Sequence, residues 1–215
     1  MPRRRATVGF AGIVAELGSR GDDDATTTAV LDAAAALLGA HGLRRWSVDD
    51  VADRAGVGRT SVYRRFANRD DLVHAVLARE LRQTFAAIDD ATRACDTLEE
   101  RIVEGAMVAL EALRGSLVDQ LLRTDPATFL PFLTTEAGPL IAIARQTIAV
   151  GARQAGLLVD PVQLDEIAEV AARLGLSLIL TRDTVLPVDD RDAFRASVRR
   201  FLGPVVESLR ADPVA

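Results

Sequence analysis

The chain has 215 residues, enough for one or two helical domains that bury a sizeable core. Apolar residues make up 49% of it but aromatics only 4%, so that core has to be assembled from Ala, Leu, Val and Ile. The single Cys95 excludes an internal disulfide framework, and His41 and His74 are the only histidines, which leaves little from which to build a metal site; no metal and no cofactor is expected. No apolar run approaches the roughly twenty residues needed to cross a bilayer. The opening Pro-Arg-Arg-Arg and VGFAGIVAELG superficially resemble a signal peptide, but the apolar segment is short, is broken by Glu16 and lacks a cleavage site. A cytoplasmic protein with no membrane partner is expected.

The net charge of −5 hides an asymmetry. Residues 1–66 hold ten Arg against eight Asp and Glu, a balance of +2, and residues 67–215 hold sixteen Arg against twenty-three acids, a balance of −7. From Arg44 to Phe66 there are six Arg and three Asp. Positive charge therefore gathers in one short stretch, as a nucleic-acid contact requires, while the rest is acidic.

Residues 1–24 show no sustained periodicity and read mostly as a flexible basic and acidic arm, with Arg3, Arg4 and Arg5 as candidates for a minor groove. A helix is expected from near Thr28 to Ala40, with Val30, Leu31, Ala34, Leu37 and Leu38 inward and Gly42 ending it. Arg44 and Arg45 fall in the loop that follows. Trp46 either packs over the domain core or lies against a DNA backbone, and packing is the favoured reading. Ser47 and Asp50 have the spacing of an N-cap and an acidic first turn for a second helix, whose apolar face is Val48, Val51, Ala52 and Ala55. Gly56 supplies the positive φ of a tight turn. A third helix then turns Val62 and Phe66 inward and leaves Arg59, Thr60, Ser61, Tyr63, Arg64 and Arg65 outside. Asn68 caps a fourth. A small apolar back and a cationic, hydroxyl-rich front suit a helix that reads a major groove.

With VLDAAAALLGAHG upstream and NRDDL downstream, the segment SVDDVADRAGVGRTSVYRRFANRDDL resembles the DNA-binding domain of the TetR family of bacterial regulators. The likeness rests on about fifty residues: the alanines after the first apolar pair, the Ala-Gly-Val turn, the Tyr-x-x-Phe of the reading helix and the basic-acidic start of the next. Trp46, Gly58 and Arg65 depart from the family pattern. Glycine costs little as a cap but forgoes a phosphate contact, whereas Arg65 suggests an added one. The resemblance implies an all-α protein with a helix-turn-helix head over 25–72 and a larger ligand-binding and dimerisation domain over 73–215.

Beyond the head, Leu72, Val73, Val76, Leu77, Leu81, Phe85 and Ile88 mark one long amphipathic helix. His74, on its other side, reads as a surface residue. Thr97 with Glu100 forms a capping box for a helix that Gly115 ends, and Asp125-Pro126 opens a short one after another short helix. Thr134 or Thr135 is expected to start a long helix that stops at Gly156, and Asp160-Pro161 to start the next. The last two helices are the most apolar, and the stretch LGLSLIL is apolar almost all round, so a partner surface is expected there. The segments SLILTRDTVLPVDD and RRFLGPVV are similar to the QsdR-type group of the family, and no effector is carried over from that.

No nucleophile motif, phosphate loop or dinucleotide fingerprint is present, so an enzyme is not expected. The expected partners are double-stranded operator DNA, a small and mostly apolar effector, and a second copy of the chain. DNA contacts are assigned to Arg44, Arg45, Ser47, Arg59, Thr60, Ser61, Tyr63, Arg64, Arg65 and Arg69. Effector contacts are assigned to Met107, Leu110, Phe129, Phe132, Leu133, Ile141, Arg145 and Ile148, with Gln146 as a further polar anchor. Leu174, Leu178, Phe194, Phe201 and Val205 are assigned to the homodimer interface. Repression released by a ligand is the favoured function; activation, or a ligand-binding adaptor that no longer binds DNA, are the alternatives.

Overall fold

All regular structure is α-helical among the residues that the computed structural model describes, which are 10–18, 24–154, 160–181 and 183–211, without the side chains of Phe10, Leu202 and residues 205–211. In chain order the helices are α1 (Phe10–Gly18), α2 (Ala25–His41), α3 (Val48–Ala55), α4 (Arg59–Arg65), α5 (Arg69–Thr92), α6 (Leu98–Leu113), α7 (Leu117–Thr124), α8 (Pro126–Leu133), α9 (Gly138–Gln154), α10 (Pro161–Leu180) and α11 (Arg191–Ala211).

Local chemistry sets most helix ends. Asp24 Oδ1 accepts from the Thr27 N–H at 2.7 Å and opens α2. Ser47 and Asp50 form a complete capping box on α3: the Asp50 N–H donates to Ser47 Oγ at 3.2 Å and the Ser47 N–H to Asp50 Oδ2 at 2.8 Å. Gly56 closes α3 in the left-handed region with φ 66°. Asn68 Oδ1 accepts from the Asp71 N–H at 2.9 Å to start α5. At α6 the Glu100 N–H donates to Thr97 Oγ1, but the Glu100 carboxylate takes the Asp96 N–H, so only half of the expected box forms. Asp125 precedes α8 without capping it. Its carboxylate turns away to accept from the Leu43 N–H at 3.0 Å. The start of α9 is Gly138, later than Thr134 or Thr135, because the Thr134 and Glu136 N–H groups fold back onto the Pro131 carbonyl in a turn.

The chain forms two compact units, Met1–Gln83 with Gly115–Pro139, and Thr84–Arg114 with Leu140–Ala215. A boundary at 72/73 therefore does not describe the packing, because residues 115–139 join the unit that carries α2, α3 and α4. Within that unit Val30, Leu31, Leu38, Val51, Val62, Leu72 and Leu121 are fully buried. Close approach explains two glycines of α2 and its cap. A Cβ at Gly39 would lie 1.9 Å from Gln120 Oε1, and one at Gly42, where φ is 73°, would lie 2.7 Å from Asp125 Cβ.

Helix α1 was not anticipated, since its nine residues are too few to display a period. Tertiary contacts hold it: Ile13 is buried, Arg82 Nη1 donates to the Glu16 carbonyl at 2.8 Å, and Gly12 lies against the His74 ring. Residues 10–18 are thus part of the folded unit and not of an arm. His74 is half-buried instead of a surface residue. Arg3, Arg4 and Arg5 lie outside the described residues.

In the other unit Leu98, Ala149, Ala152 and Leu164 form one apolar cluster, with Ile102, Ile148 and Ile167 against it. Val103, Met107 and Phe194 form a second, with Leu178, Leu186 and Val198 against it. Both follow from apolar residues at helical spacing on α6, α9, α10 and α11. Ion pairs rim the contact of α6 with α11: Glu104 with Arg191 and with Arg195, and Glu99 with Arg199.

Candidate nucleic-acid interface

Helix α4 is seven residues long and follows α3 through the Gly56 turn. Val62 is its buried back. Arg59, Thr60, Tyr63 and Arg64 are exposed on the opposite side, Ser61 is half-buried beside them, and Arg44 and Arg45 are exposed in the loop before α3. Gly58 caps α4 without a side-chain bond, while its carbonyl accepts from the Ser61 N–H at 2.8 Å, so no cap side chain occupies the Arg59 and Thr60 N–H groups ahead of it.

Arg59 is already oriented. Its Nε lies 2.9 Å from Asp49 Oδ1 and its guanidinium 5.3 Å from the centre of the Tyr63 ring. The hydrogen bond to Tyr63, and then the charge of Asp49, raise its pKa above the ordinary arginine value, so it is cationic at any working pH. An exposed ion pair of this kind contributes little stability and gives way readily to a phosphate or a guanine edge.

Three residues assigned to DNA are occupied inside the fold. Arg65 Nε donates to Thr27 Oγ1 at 2.9 Å, Nη2 to Asp24 Oδ2 at 2.5 Å and Nη1 to the Ser61 carbonyl at 3.2 Å. It ties the end of α4 to the start of α2, so the donors expected to reach a phosphate are engaged inside the fold. Arg69 stacks 4.3 Å from the Trp46 ring centre and donates through Nε to the Trp46 carbonyl at 3.2 Å and through Nη2 to the Leu43 carbonyl. Burial pushes its pKa down while Asp70 pushes it up. Two of its donors thus serve the α2–α3 loop, and Nη1 lies 3.9 Å from Asp70 Oδ1. Ser47 Oγ donates to Asp50 Oδ2 at 2.8 Å, so its hydrogen is spent on the cap. Trp46 packs into the core as favoured, 6% exposed, with Nε1 donating to the Gly42 carbonyl at 3.1 Å.

The residues assigned to an effector divide between the units. Phe129, Phe132 and Leu133 are buried on α8, the two rings 5.9 Å apart, while Met107, Leu110, Ile141, Arg145 and Ile148 belong to the other unit. Met107 and Ile148 each pack into an apolar cluster there. Arg145 faces Asp165 at 3.8 Å and Gln146 is exposed. Of the interface residues, Phe194 is only 3% exposed and Leu178 packs on the same cluster, so both serve the chain's own core. Leu174 and Phe201 remain 54% and 64% exposed. The Val205 side chain lies outside the described residues.

A family model described as bacterial regulatory proteins, tetR family, matches residues 30–76, and one described as bacterial tetracyclin repressor, C-terminal domain, matches residues 98–204. The transcriptional repressor KstR2 of Mycobacterium tuberculosis is 31% identical over 98 residues, which cover 46% of this chain and 49% of that protein. The chain thus spans about half the length of the curated relatives it matches. The repressor AlkX from Dietzia superposes with a TM-score of 0.61 at 26% identity, over 84% of this chain and 97% of its own. SCO7518 from Streptomyces coelicolor shares the fold, with a TM-score of 0.57 at 20% identity over 82% of this chain and 98% of its own. With both halves matched, the chain belongs to the TetR family of bacterial regulatory proteins.

Proposed function

We propose that the protein is a dimeric, cytoplasmic transcriptional repressor without enzymatic activity that leaves its operator when a small apolar effector binds. The observation that carries this reading is α4, whose buried Val62 seats the helix while Arg59, Thr60, Tyr63 and Arg64 stand exposed, two of them cationic. Arg59 and Thr60, at the N-terminal end, read base edges; Arg64, Arg44, Arg45 and Ser61 hold phosphates; Tyr63 meets a thymine methyl or a phosphate. The matched relatives KstR2 and AlkX are both described as repressors, which favours repression over activation.

The effector lies among the apolar side chains of the second unit, near Ile141 and Ile148 on α9 and Met107 and Leu110 on α6. AlkX is implicated in biodegradation of n-alkanes, which agrees with an apolar ligand. Dimers form through the faces of α10 and α11 that carry Leu174 and Phe201, whose exposure is otherwise costly. The effector acts by population shift, favouring a spacing of the two reading heads that no longer fits successive major grooves. The test is selection of bound fragments from genomic DNA, followed by salt titration with and without candidate ligands. A selected palindromic site with a steep salt dependence supports the reading; a chain that retains no DNA at low salt overturns it in favour of an adaptor.

A further inference from the structure

Among the described residues four buried side-chain nitrogens lack a hydrogen-bond partner: His74 Nε2, Arg79 Nε, Arg101 Nε and Arg195 Nε. Three have a local explanation. The His74 ring is packed against Gly12. Arg79 pairs with Asp32 at 2.8 Å, and Arg195 pairs with Glu104 at 2.6 Å, so each guanidinium has its counter-charge.

Arg101 forms no ion pair with a described residue. It sits on α6, is 9% exposed, and its Nε meets no hydrogen-bond partner among them. Of the carboxylates nearest it along α6, Glu104 pairs with Arg191 and Arg195 and Glu99 with Arg199, while Glu100 accepts the Asp96 N–H. A guanidinium cannot shed its proton, so burial without a partner leaves a standing electrostatic cost. The guanidinium lies close to Gly151, where a Cβ would come 3.1 Å from Arg101 Nη1. Leu98 and Ile102 flank it on α6, and Ala149 and Ala152 flank Gly151 on α9, all four in one apolar cluster. The place is therefore a bare cation at the edge of hydrocarbon.

We propose that Arg101 is the anchoring cation of the effector site and that the effector is an apolar molecule bearing one carboxylate. This rests on the reading of the chain as a ligand-responsive regulator. The carboxylate takes two of the guanidinium donors in the forked geometry that arginine presents, and the hydrocarbon tail continues along the α6 and α9 side chains. Arg145 and Gln146 are then not the anchors, since Arg145 already faces Asp165 and Gln146 is exposed.

The experiment is calorimetric titration of the full chain, and of Arg101→Gln and Arg101→Met, with octanoate, decanoate and dodecanoate and with the matching alcohols. Wild type should bind at least one acid roughly ten- to a hundredfold more tightly than its alcohol. Both variants should keep the alcohol's affinity and lose the preference. Without ligand, Arg101→Met should melt higher than wild type, because it removes an uncompensated buried charge. Equal binding of acid and alcohol by wild type, or an acid preference that survives in the variants, overturns the role of Arg101 while leaving an apolar effector standing. If neither acids nor alcohols bind or loosen DNA, the apolar effector falls as well, and Arg101 with it.

Discussion

The guanidinium of Arg65 lies 2.5 Å from the carboxylate of Asp24, forty-one residues earlier in the chain. The arginine ends the reading helix and the aspartate caps α2, so one ion pair closes the three-helix head on itself. Arg65, and then the Thr27 N–H, hold the Asp24 carboxyl far below the usual carboxylate range. A depressed folded-state pKa gives stability that is fully present above the unfolded value, roughly pH 4, and is lost as pH falls toward the folded one. The stability difference between wild type and Asp24→Asn, followed by thermal denaturation, should be constant near neutrality and shrink below about pH 4. Arg65→Ala should lower the melting temperature and leave the salt slope of DNA binding unchanged.

Arg59 should behave in the opposite way. Its exposed side chain contributes to reading and little to folding. Arg59→Ala should leave the melting temperature within about a degree and cost roughly 1–3 kcal/mol of operator binding per half-site, with preference relaxed at one base pair. Asp49→Asn removes the carboxylate that competes with DNA for Arg59, and should tighten binding to operator and scrambled DNA alike. Salt titrations on both DNAs separate these outcomes.

Arg69 is a structural residue by the same comparison. Arg69→Ala strips the donors from the Leu43 and Trp46 carbonyls and the cation from the Trp46 ring, and should cost about 1.5–3 kcal/mol of stability. Its salt slope should match wild type under conditions where both are folded. A slope lower by about 1 per half-site would instead make Arg69 a phosphate contact.

The partition of these arginines shows what a single sequence reveals. Caps were legible because donor and acceptor sit three residues apart: Ser47 with Asp50, Asn68 with Asp71, Thr97 with the Glu100 N–H. The left-handed turn at Gly56 was legible for the same local reason. Arg65 and Arg69 were not, since the partners that tie them to α2 and the α2–α3 loop lie twenty-three to forty-one residues away and a basic residue beside a reading helix looks like a phosphate contact. Phe194 and Phe201 make the same point on α11. Both belong to one apolar periodicity, but the first is in the chain's own core and the second is exposed. Periodicity identifies a face and does not say what covers it. Arg101 escaped notice because, in sequence, it is one more arginine in a helix rich in charge.

The dimer prediction changes with that finding. Leu178→Glu would disrupt the Phe194 cluster and unfold the unit, so Leu174→Glu with Phe201→Glu is the cleaner test. The double variant should remain helical and run as a monomer by light scattering. A stable dimer would place the interface elsewhere.

Gly42 is expected to be intolerant of any side chain. Its φ of 73° and the 2.7 Å approach to Asp125 both oppose a Cβ. Gly42→Ala should cost about 1–3 kcal/mol, measured by chemical denaturation. Gly138→Ala, where nothing lies within 4 Å, is the control.

The carboxylate of Asp125 reaches the Leu43 N–H across eighty-two residues, while Arg69 and Trp46 occupy the carbonyls on either side of it. Amide protons of an ordinary surface loop trade with solvent quickly. That of Leu43 is buried and bonded to a side chain from the α7–α8 junction, so its hydrogen–deuterium exchange is governed by how often that junction lets go. One amide in the head thereby reports on the attachment of residues 115–139, without any label placed there.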